Sequence, residues 1–353
     1  TAPLSLYFHM PFCRKLCWYC ACSKVVTRDQ QRSAIYLERL LRELELKKDL
    51  LSNRKLVQMH LGGGTPSFFT GQELTRLMHD VRSIVDPEAD AEFSIELDPR
   101  ELSRDQVESL AKAGFNRASL GVQDHNPEVQ KLIHRVQPYE MTRDAVSWLR
   151  GEGIEKINFD LVYGLPGQTP DSFDRTIDDI LELEPDRLAI YSYAHVPWVA
   201  PAQKLLERAE IPGADEKLEL FGIATSRLLG AGYEFIGIDH FARPDDELAV
   251  AARTDTLHRN FMGYTTRKGA DLHGIGVTSI SQTGDQYFQN ARKLEDWEHA
   301  IDRGEIPIEK GIRLDAEDQT RRSIIMAIMC RAHARFEDVT GIECASDFRQ
   351  RFA

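Results

Sequence analysis

The chain has 353 residues and a formal net charge of −12 at pH 7, since 44 Lys and Arg residues stand against 56 Asp and Glu residues. This length predicts one large α/β domain with an appendage, which is enough to form an enzyme. The acidic and evenly dispersed charge disfavours a nucleic-acid partner, and the longest clean apolar run, residues 324–330, is far shorter than the roughly 18 residues of a membrane span.

The first predicted strand is followed by a loop with four of the chain's six cysteines, Cys13, Cys17, Cys20 and Cys22. Disulfides would need an oxidising compartment, and no secretory signal precedes the loop. A structural zinc site usually has a second ligand pair about 12 to 20 residues further on, but no Cys or His lies between Cys22 and His60. Thiolates crowded in one loop favour an iron–sulfur cluster, with either three or four cysteine ligands.

Strand-like runs alternate with helical patterns from residue 4 to residue 194. The predicted strands are residues 4–10, 56–62, 92–97, 117–123, 156–164 and 187–194. Helices are predicted by the apolar stripe of Leu37, Leu40, Leu41 and Leu44 and by the patterns at residues 72–84, 103–113, 139–150 and 170–183. Six strand–helix units predict a parallel sheet, and periodicity leaves open whether it is a doubly wound sheet or an incomplete barrel.

Several polar or glycine residues are predicted at the carboxyl ends of these strands, where ligands of parallel sheets bind. The segment "GGGTP" follows the second strand, and its glycines would let backbone amides approach a ligand that a Cβ would exclude. A tight structural turn is the alternative for this segment, and a helix N-cap is the alternative for a strand-end carboxylate. The candidate ligand-binding residues are Gly63, Gly64, Thr65, Glu96, Gln123 and Asp160.

The spacing Cys-x3-Cys-x2-Cys resembles the signature of radical S-adenosylmethionine (SAM) enzymes. The resemblance implies a 4Fe-4S cluster held by Cys13, Cys17 and Cys20, with an open iron that binds the amino and carboxylate groups of SAM. Cys22 would then be a bystander beside the site. The implied fold is α/β, an incomplete (β/α)6 TIM-like radical SAM barrel, and the glycine segment resembles the part of that fold that receives the methionine amino group.

Longer segments resemble the oxygen-independent coproporphyrinogen III oxidase (coproporphyrinogen dehydrogenase) family, among them "YFHMPFCRKLCWYCACSK", "HLGGGTPS", "DLVYGLPGQT", "YSYAHVPW" and "GIDHFARPDDELA". This resemblance implies an oxidoreductase that oxidatively decarboxylates two propionates of coproporphyrinogen III to vinyl groups. The product would be protoporphyrinogen IX of anaerobic haem biosynthesis. A reducing electron donor and an unidentified electron acceptor are implied as partners. The alternatives are a haem-binding, haem-transferring or haem-degrading relative and a non-catalytic iron–sulfur protein.

The same resemblance implies two bound SAM molecules. The implied contacts of the cluster-bound SAM are Tyr7, Gly63, Glu96 and Ile280. Those of the second SAM are Tyr19, Gly64, Thr65, Gln123, Arg135, Asp160 and Ala194. Tyr7 and His9, close to the cluster loop, are the candidate catalytic residues. Without the resemblance, positions 7, 19, 194 and 280 would be interpreted as core and Arg135 as a solvated arginine at a helix end.

We expect three segments along the chain. Residues 1–240 would form the radical SAM barrel, residues 241–312 a flanking extension, and residues 313–353 the start of a mainly helical C-terminal domain that the family extends further. Two remaining cysteines, Cys330 and Cys344, are predicted to be inert core thiols of this last segment.

The tetracarboxylate substrate implied by the resemblance needs cations, and Arg259 and Arg292 are candidates. Because the sequence shows no apolar span and no secretory signal, we expect a cytoplasmic protein without a membrane partner. We also expect a monomer.

Overall fold

Six parallel strands, each followed by a helix, form the centre of the structure, a computed structural model that describes residues 2–335 and residue 350. The predictions for Cys344 and for most of the last segment therefore lie outside the described residues. Within residues 2–335 the strands are β1 (Leu4–Met10), β2 (Phe12–Cys13), β3 (Val25–Val26), β4 (Lys55–Gly63), β5 (Asp86–Leu97), β6 (Arg117–Gln123), β7 (Lys156–Tyr163), β8 (Arg187–Ser192), β9 (Glu234–Ile236), β10 (His240–Ala242), β11 (His258–Asn260), β12 (Gly263–Thr265), β13 (Asp271–Ile275), β14 (Ile280–Thr283), β15 (Gln286–Asn290) and β16 (Ile308–Arg313).

The helices of the same range alternate with the central strands and cover them. They are α1 (Gln31–Leu46), α2 (Lys48–Leu51), α3 (Gly71–Ile84), α4 (Arg104–Ala113), α5 (Pro127–Leu132), α6 (Tyr139–Gly151), α7 (Pro170–Glu182), α8 (Ala214–Gly230), α9 (Glu247–Arg253), α10 (Leu294–Asp302) and α11 (Ala316–Arg331). None of the described helices is long and apolar enough to span a bilayer.

The sheet has the strand order β16-β15-β14-β13-β1-β4-β5-β6-β7-β8-β10-β9. Strands β1 and β4 to β8 pair in parallel, and β13 adds a further parallel strand next to β1. The predicted fold class and all six predicted central strands are confirmed. Strands β14, β15 and β16 extend the sheet by antiparallel pairing, so much of the predicted flanking extension continues the central sheet.

Helix α1 shows how the predicted apolar stripe becomes core. Leu37, Leu40 and Leu44 are at most 2% exposed, whereas Leu41 is partly buried against the same core. The buried carboxylate of Glu43 lies on this helix as well. It accepts hydrogen bonds from Lys47, Gly276, Asn290 and Trp297. It thereby joins α1 to α10 and to the segment that connects β13 with α10.

The interior near the amino ends of the central strands contains charged side chains. Arg117, the first residue of β6, donates to Glu92 of β5 at 2.9 Å. Arg187, the first residue of β8, donates to Asp246 at 2.7 Å. All four side chains are at most 15% exposed. Because a buried ion is stable only when it is paired, these bonds allow a polar interior beneath the site.

Candidate active site

The cysteine loop follows β1 and is closed at its base by a short ladder between β2 and β3. The amide of Val25 donates to the carbonyl of Pro11 at 2.7 Å, and the amide of Thr27 donates to Cys13 at 2.9 Å. Further along the loop, Trp18 donates its amide to the carbonyl of Ile133 at 3.0 Å. The loop is therefore attached to the barrel at its base and near its middle.

The predicted cluster residues and most predicted SAM residues line one cavity of about 410 Å³ at the carboxyl ends of the central strands. We call it the cysteine cavity. Its wall contains all four cysteines of the loop. The predicted residues that it brings together with them are Tyr19, Gly63, Gly64, Thr65, Glu96, Gln123, Arg135 and Asp160.

Cys17 has two guanidinium groups beside its sulfur. Arg100 Nη2 lies 3.3 Å and Arg135 Nη1 lies 3.6 Å from Cys17 Sγ. Asp98 accepts from both arginines, at 2.6 Å from Arg100 Nη2 and at 3.1 Å from Arg135 Nη1. Burial alone would raise the pKa of Asp98, but Arg135 and Arg100 lower it to about 2. Sequence reasoning missed Asp98 and Arg100, since an Asp-Pro-Arg run after a strand is typical of a turn.

The glycine segment approaches the chain itself very closely. A Cβ on Gly63, whose φ is +113°, would lie 2.5 Å from the ring of His9. The amides of this segment are bonded to protein acceptors: Gly63 donates to Glu96 at 3.0 Å, Gly64 to Met10 at 2.8 Å, and Thr65 to Phe12 at 2.9 Å. The close approach seen here is to the ring of His9, so the binding of a ligand by these glycines stays a prediction. These three amides donate to the protein, and a SAM ammonium, which can only donate, would need carbonyl or carboxylate oxygens here.

A second cavity, of about 420 Å³, lies beside the first, and Glu96 lines both. We call it the histidine cavity. Tyr7, His9, His60 and Ile280 line it together with Met262 and Arg292. The two predicted SAM sets therefore do not divide into one cavity each, since Tyr7 and Ile280 line the histidine cavity whereas Gly63 lines the cysteine cavity.

His9 and Tyr7 form a hydrogen-bonded pair in the wall of the histidine cavity. His9 Nε2 lies 3.1 Å from the carbonyl oxygen of Ser23, which can only accept, so Nε2 carries the proton. His9 Nδ1 then accepts from the Tyr7 hydroxyl at 3.0 Å. Burial lowers the pKa of His9 and raises the pKa of Tyr7. Both side chains are therefore neutral near pH 7.

Glu96 connects the two cavities. Its Oε1 lies 3.3 Å from His60 Nε2, and its Oε2 accepts the amide of Gly63. Burial would raise the pKa of Glu96, but the contacts with His60 and the amide of Gly63 together outweigh it, and the pKa is lowered. Asp160 differs: burial, followed by the charge of Glu96, raises its pKa to about 6, even though Ser119 donates to it at 2.9 Å.

Three other residues named in the sequence analysis lie outside the lining of both cavities. Ala194 is exposed and lies outside the lining of both cavities, where its carbonyl accepts from Gln203 at 3.2 Å. Arg259 lies with its guanidinium carbon 5.5 Å from the centre of the Tyr264 ring. Cys330 is buried in a small apolar cluster behind β9 and β10, away from the cysteine loop.

The cysteines of the loop suit an iron–sulfur cluster, whose ligands are thiolates. Among residues 2–335, no three His, Cys, Asp or Glu side chains are gathered closely enough to chelate one ion. The ligands of a cluster can lie further apart than those of a single ion, because each thiolate binds a different iron. Cys13, Cys17 and Cys20 line one cavity, and two guanidiniums donate to the sulfur of Cys17.

Comparison with known proteins gives consistent results. The model of the Radical SAM superfamily matches residues 7–180. The oxygen-independent coproporphyrinogen III oxidase of Pseudomonas aeruginosa is 46% identical over 355 residues, which cover 99% of this chain and 77% of the relative. The same enzyme of Helicobacter pylori is 42% identical, with 99% and 77% covered. A solved coproporphyrinogen III oxidase from Escherichia coli matches with a TM-score of 0.91 at 45% identity, covering 94% of this chain and 76% of that chain.

Proposed function

The chain belongs to the oxygen-independent coproporphyrinogen III oxidase family, and we propose that it carries out the family reaction in the two adjacent cavities at the carboxyl ends of its strands. As a radical SAM oxidoreductase of haem biosynthesis, it oxidatively decarboxylates coproporphyrinogen III with a 4Fe-4S cluster and SAM. The observation that carries the site assignment is that the cysteine loop and six predicted strand-end residues, from the carboxyl ends of four strands, converge on one cavity.

The cluster ligands in this proposal are Cys13, Cys17 and Cys20. When bound, the cluster and SAM supply the radical that removes a hydrogen atom from a propionate side chain. The chain's own contribution begins with holding the sulfurs: Thr65 Oγ1 donates to Cys13 Sγ at 3.3 Å, and the two guanidiniums donate to Cys17. Cys22, the most exposed of the four, is left outside the ligand set.

Glu96 and Asp160 are assigned to bind SAM from the wall of the cysteine cavity. Their carboxylates can accept from the ammonium and ribose hydroxyl groups of such a ligand. Glu96 is oriented by His60 and Gly63, and Asp160 by Ser119, so neither has to be ordered when the ligand binds. Fixing them in advance reduces the entropy cost of binding.

The histidine cavity is the proposed substrate side. Both ring nitrogens of His9 are bonded within the protein, to the Tyr7 hydroxyl and the Ser23 carbonyl, so His9 fixes the orientation of Tyr7. The Tyr7 hydroxyl oxygen can still accept a hydrogen bond, and the neutral pair adds no charge. Arg292 also lines this cavity, and its side chain is 63% exposed although it lies 3.2 Å from Glu309. A guanidinium at a cavity wall suits a propionate carboxylate, which makes Arg292 a candidate for substrate binding.

The test is an anaerobic turnover assay. The chain is loaded with iron and sulfide, reduced with dithionite, and mixed with SAM and coproporphyrinogen III. Mass spectrometry then follows 5'-deoxyadenosine and the loss of two carboxyl groups. Both products are expected. Formation of 5'-deoxyadenosine without decarboxylation would contradict the substrate, and no SAM cleavage by a reduced cluster would contradict the radical chemistry.

Two cysteine variants provide a matched control. Cys17→Ala is expected to reduce the iron and sulfide content and to abolish SAM cleavage, because it removes a proposed ligand. Cys330→Ala removes an equally buried thiol, 8% exposed in both cases, but is expected to retain iron, sulfide and activity. Equal iron loss in the two variants would contradict the ligand assignment.

A further inference from the structure

We propose that Asp98 and Arg100 are positioning residues that set how readily the cluster accepts an electron. They would do so by holding a guanidinium against the sulfur of Cys17. This inference rests on the cluster site proposed above, but it is independent of the substrate.

Both carboxylate oxygens of Asp98 accept hydrogen bonds from Arg100. Arg100 Nε lies 3.0 Å from Oδ1 and 3.2 Å from Oδ2 of Asp98, and Nη2 lies 2.6 Å from Oδ2. The backbone amide of Arg100 also donates to Asp98 Oδ1 at 3.0 Å. These bonds leave Nη2 directed at Cys17 Sγ as well, at 3.3 Å. A bidentate fork of this kind fixes the guanidinium plane, which lysine could not reproduce.

The carboxylate of Asp98 also binds a second cation, the guanidinium of Arg135. Asp98 Oδ2 accepts from Arg135 Nη1 at 3.1 Å, while Arg135 Nη2 donates to the carbonyl of Gly121 at 2.6 Å. The side chains of Asp98, Arg100 and Arg135 are all 7–8% exposed. Two positive charges and one negative charge therefore lie beside one thiolate, where solvent screens them little.

The sign of the effect follows from the charges. One-electron reduction makes the cluster one unit more negative. A cation and an N–H donor at a ligand sulfur therefore favour the reduced cluster, because hydrogen bonds and local charge set the potential of such centres. Arg100 accordingly raises the potential. The negative charge of Asp98 lowers it, while its hydrogen bonds keep Arg100 at the sulfur.

The arrangement predicts opposite shifts for two substitutions. Arg100→Gln removes the cation and should shift the potential to a more negative value. Asp98→Asn retains an acceptor for Arg100 but removes the anion, and it should shift the potential to a more positive value. We expect each substitution to change the equilibrium constant for reduction of the cluster by nearly tenfold. For one electron, a tenfold change corresponds to about 59 mV. A residue that only maintained the fold would not give shifts of opposite sign.

The measurement is an anaerobic redox titration of the cluster-loaded chain without substrate, followed by electron paramagnetic resonance of the reduced cluster. Arg14→Gln is the matched control, because Arg14 adjoins Cys13 in sequence but pairs with Glu101 and Gln30. Arg14→Gln should shift the potential by only a small fraction of the shift in either test variant. Shifts of the same sign for the two test variants, or no shift for either, would overturn the proposal.

A milder pair keeps the proposal testable if either variant fails to retain a cluster. Arg100→Lys retains the charge without the fork and should shift the potential in the same negative direction, by less than Arg100→Gln. Asp98→Glu retains the anion and should not shift it to a more positive value. A potential unchanged in Arg100→Lys, or raised in Asp98→Glu, would refute the role of the fork and of the anion.

Discussion

Replacing Glu43 by alanine should destabilise the fold far more than replacing Glu45, an exposed glutamate of the same helix α1. Its side chain is fully buried, and its two oxygens accept from four donors on three parts of the chain. Lys47 Nζ and Asn290 Nδ2 donate to Oε1 at 2.5 and 2.7 Å. The amide of Gly276 and the indole of Trp297 donate to Oε2 at 2.8 and 2.7 Å.

The expected loss can be estimated from these bonds. Leaving the ammonium of Lys47, itself 1% exposed, without its carboxylate costs about 3–5 kcal/mol. Each N–H group left without an acceptor adds at least about 1 kcal/mol. Because the groups share one cavity, their costs do not simply add. We therefore expect Glu43→Ala to lower the free energy of unfolding by about 5 kcal/mol, and Glu43→Gln by roughly half as much.

Helix α1 also offers an internal control. Glu45 pairs with Lys48 at 3.0 Å, but these side chains are 61% and 48% exposed. An exposed pair contributes at most about 0.5 kcal/mol, so Glu45→Ala should leave stability almost unchanged. Urea unfolding at pH 7, followed by circular dichroism, measures all three variants. Equal losses for Glu43→Gln and Glu45→Ala would refute the reasoning from burial.

Two further substitutions test local geometry and proton binding. Gly63→Ala should lower the free energy of unfolding by about 2–4 kcal/mol through backbone strain and collision with His9. Gly153→Ala is the control, because Gly153 has φ +85° but no atom within 4 Å of an added Cβ, and it should cost about 1 kcal/mol. Equal costs would refute the collision. Burial and neighbouring cations lower the pKa of His273 from 6.5 to about 4, so the unfolded chain binds this proton first and stability falls as the pH drops from 6.5 to 4. Urea unfolding across this pH range should show a smaller fall in stability for His273→Gln. His79→Gln, which replaces an 81% exposed side chain, should leave the fall in stability unchanged. An undiminished fall in His273→Gln would contradict the assignment.

The elements of the barrel could be predicted because their signals are local. The stripe of Leu37, Leu40 and Leu44 places one helix face in the core, and each predicted strand is a short apolar run between turns. The order of the strands and the antiparallel extension by β14 to β16 depend on pairing between distant segments. Periodicity contains no information about such pairing.

The site could be predicted in part for the same reason. The cysteine spacing and the strand-end residues are visible in sequence, and the cavity brings most of them together. Asp98 and Arg100 were missed because the contact of Arg100 with Cys17 joins residues 83 positions apart. Likewise, no local pattern shows that the amides of Gly63 and Gly64 are bonded to Glu96 and Met10.

The ladder between β2 and β3 has a consequence for how the chain takes up iron. Bringing together the ends of a loop of about a dozen residues costs on the order of 2 kcal/mol of chain entropy. Here Phe12 and Cys13 pair with Val25 and Val26 through the backbone, so protein hydrogen bonds offset this cost. The free energy of forming iron–thiolate bonds is then not consumed in closing the loop. Uptake of iron should consequently not require folding of the whole segment.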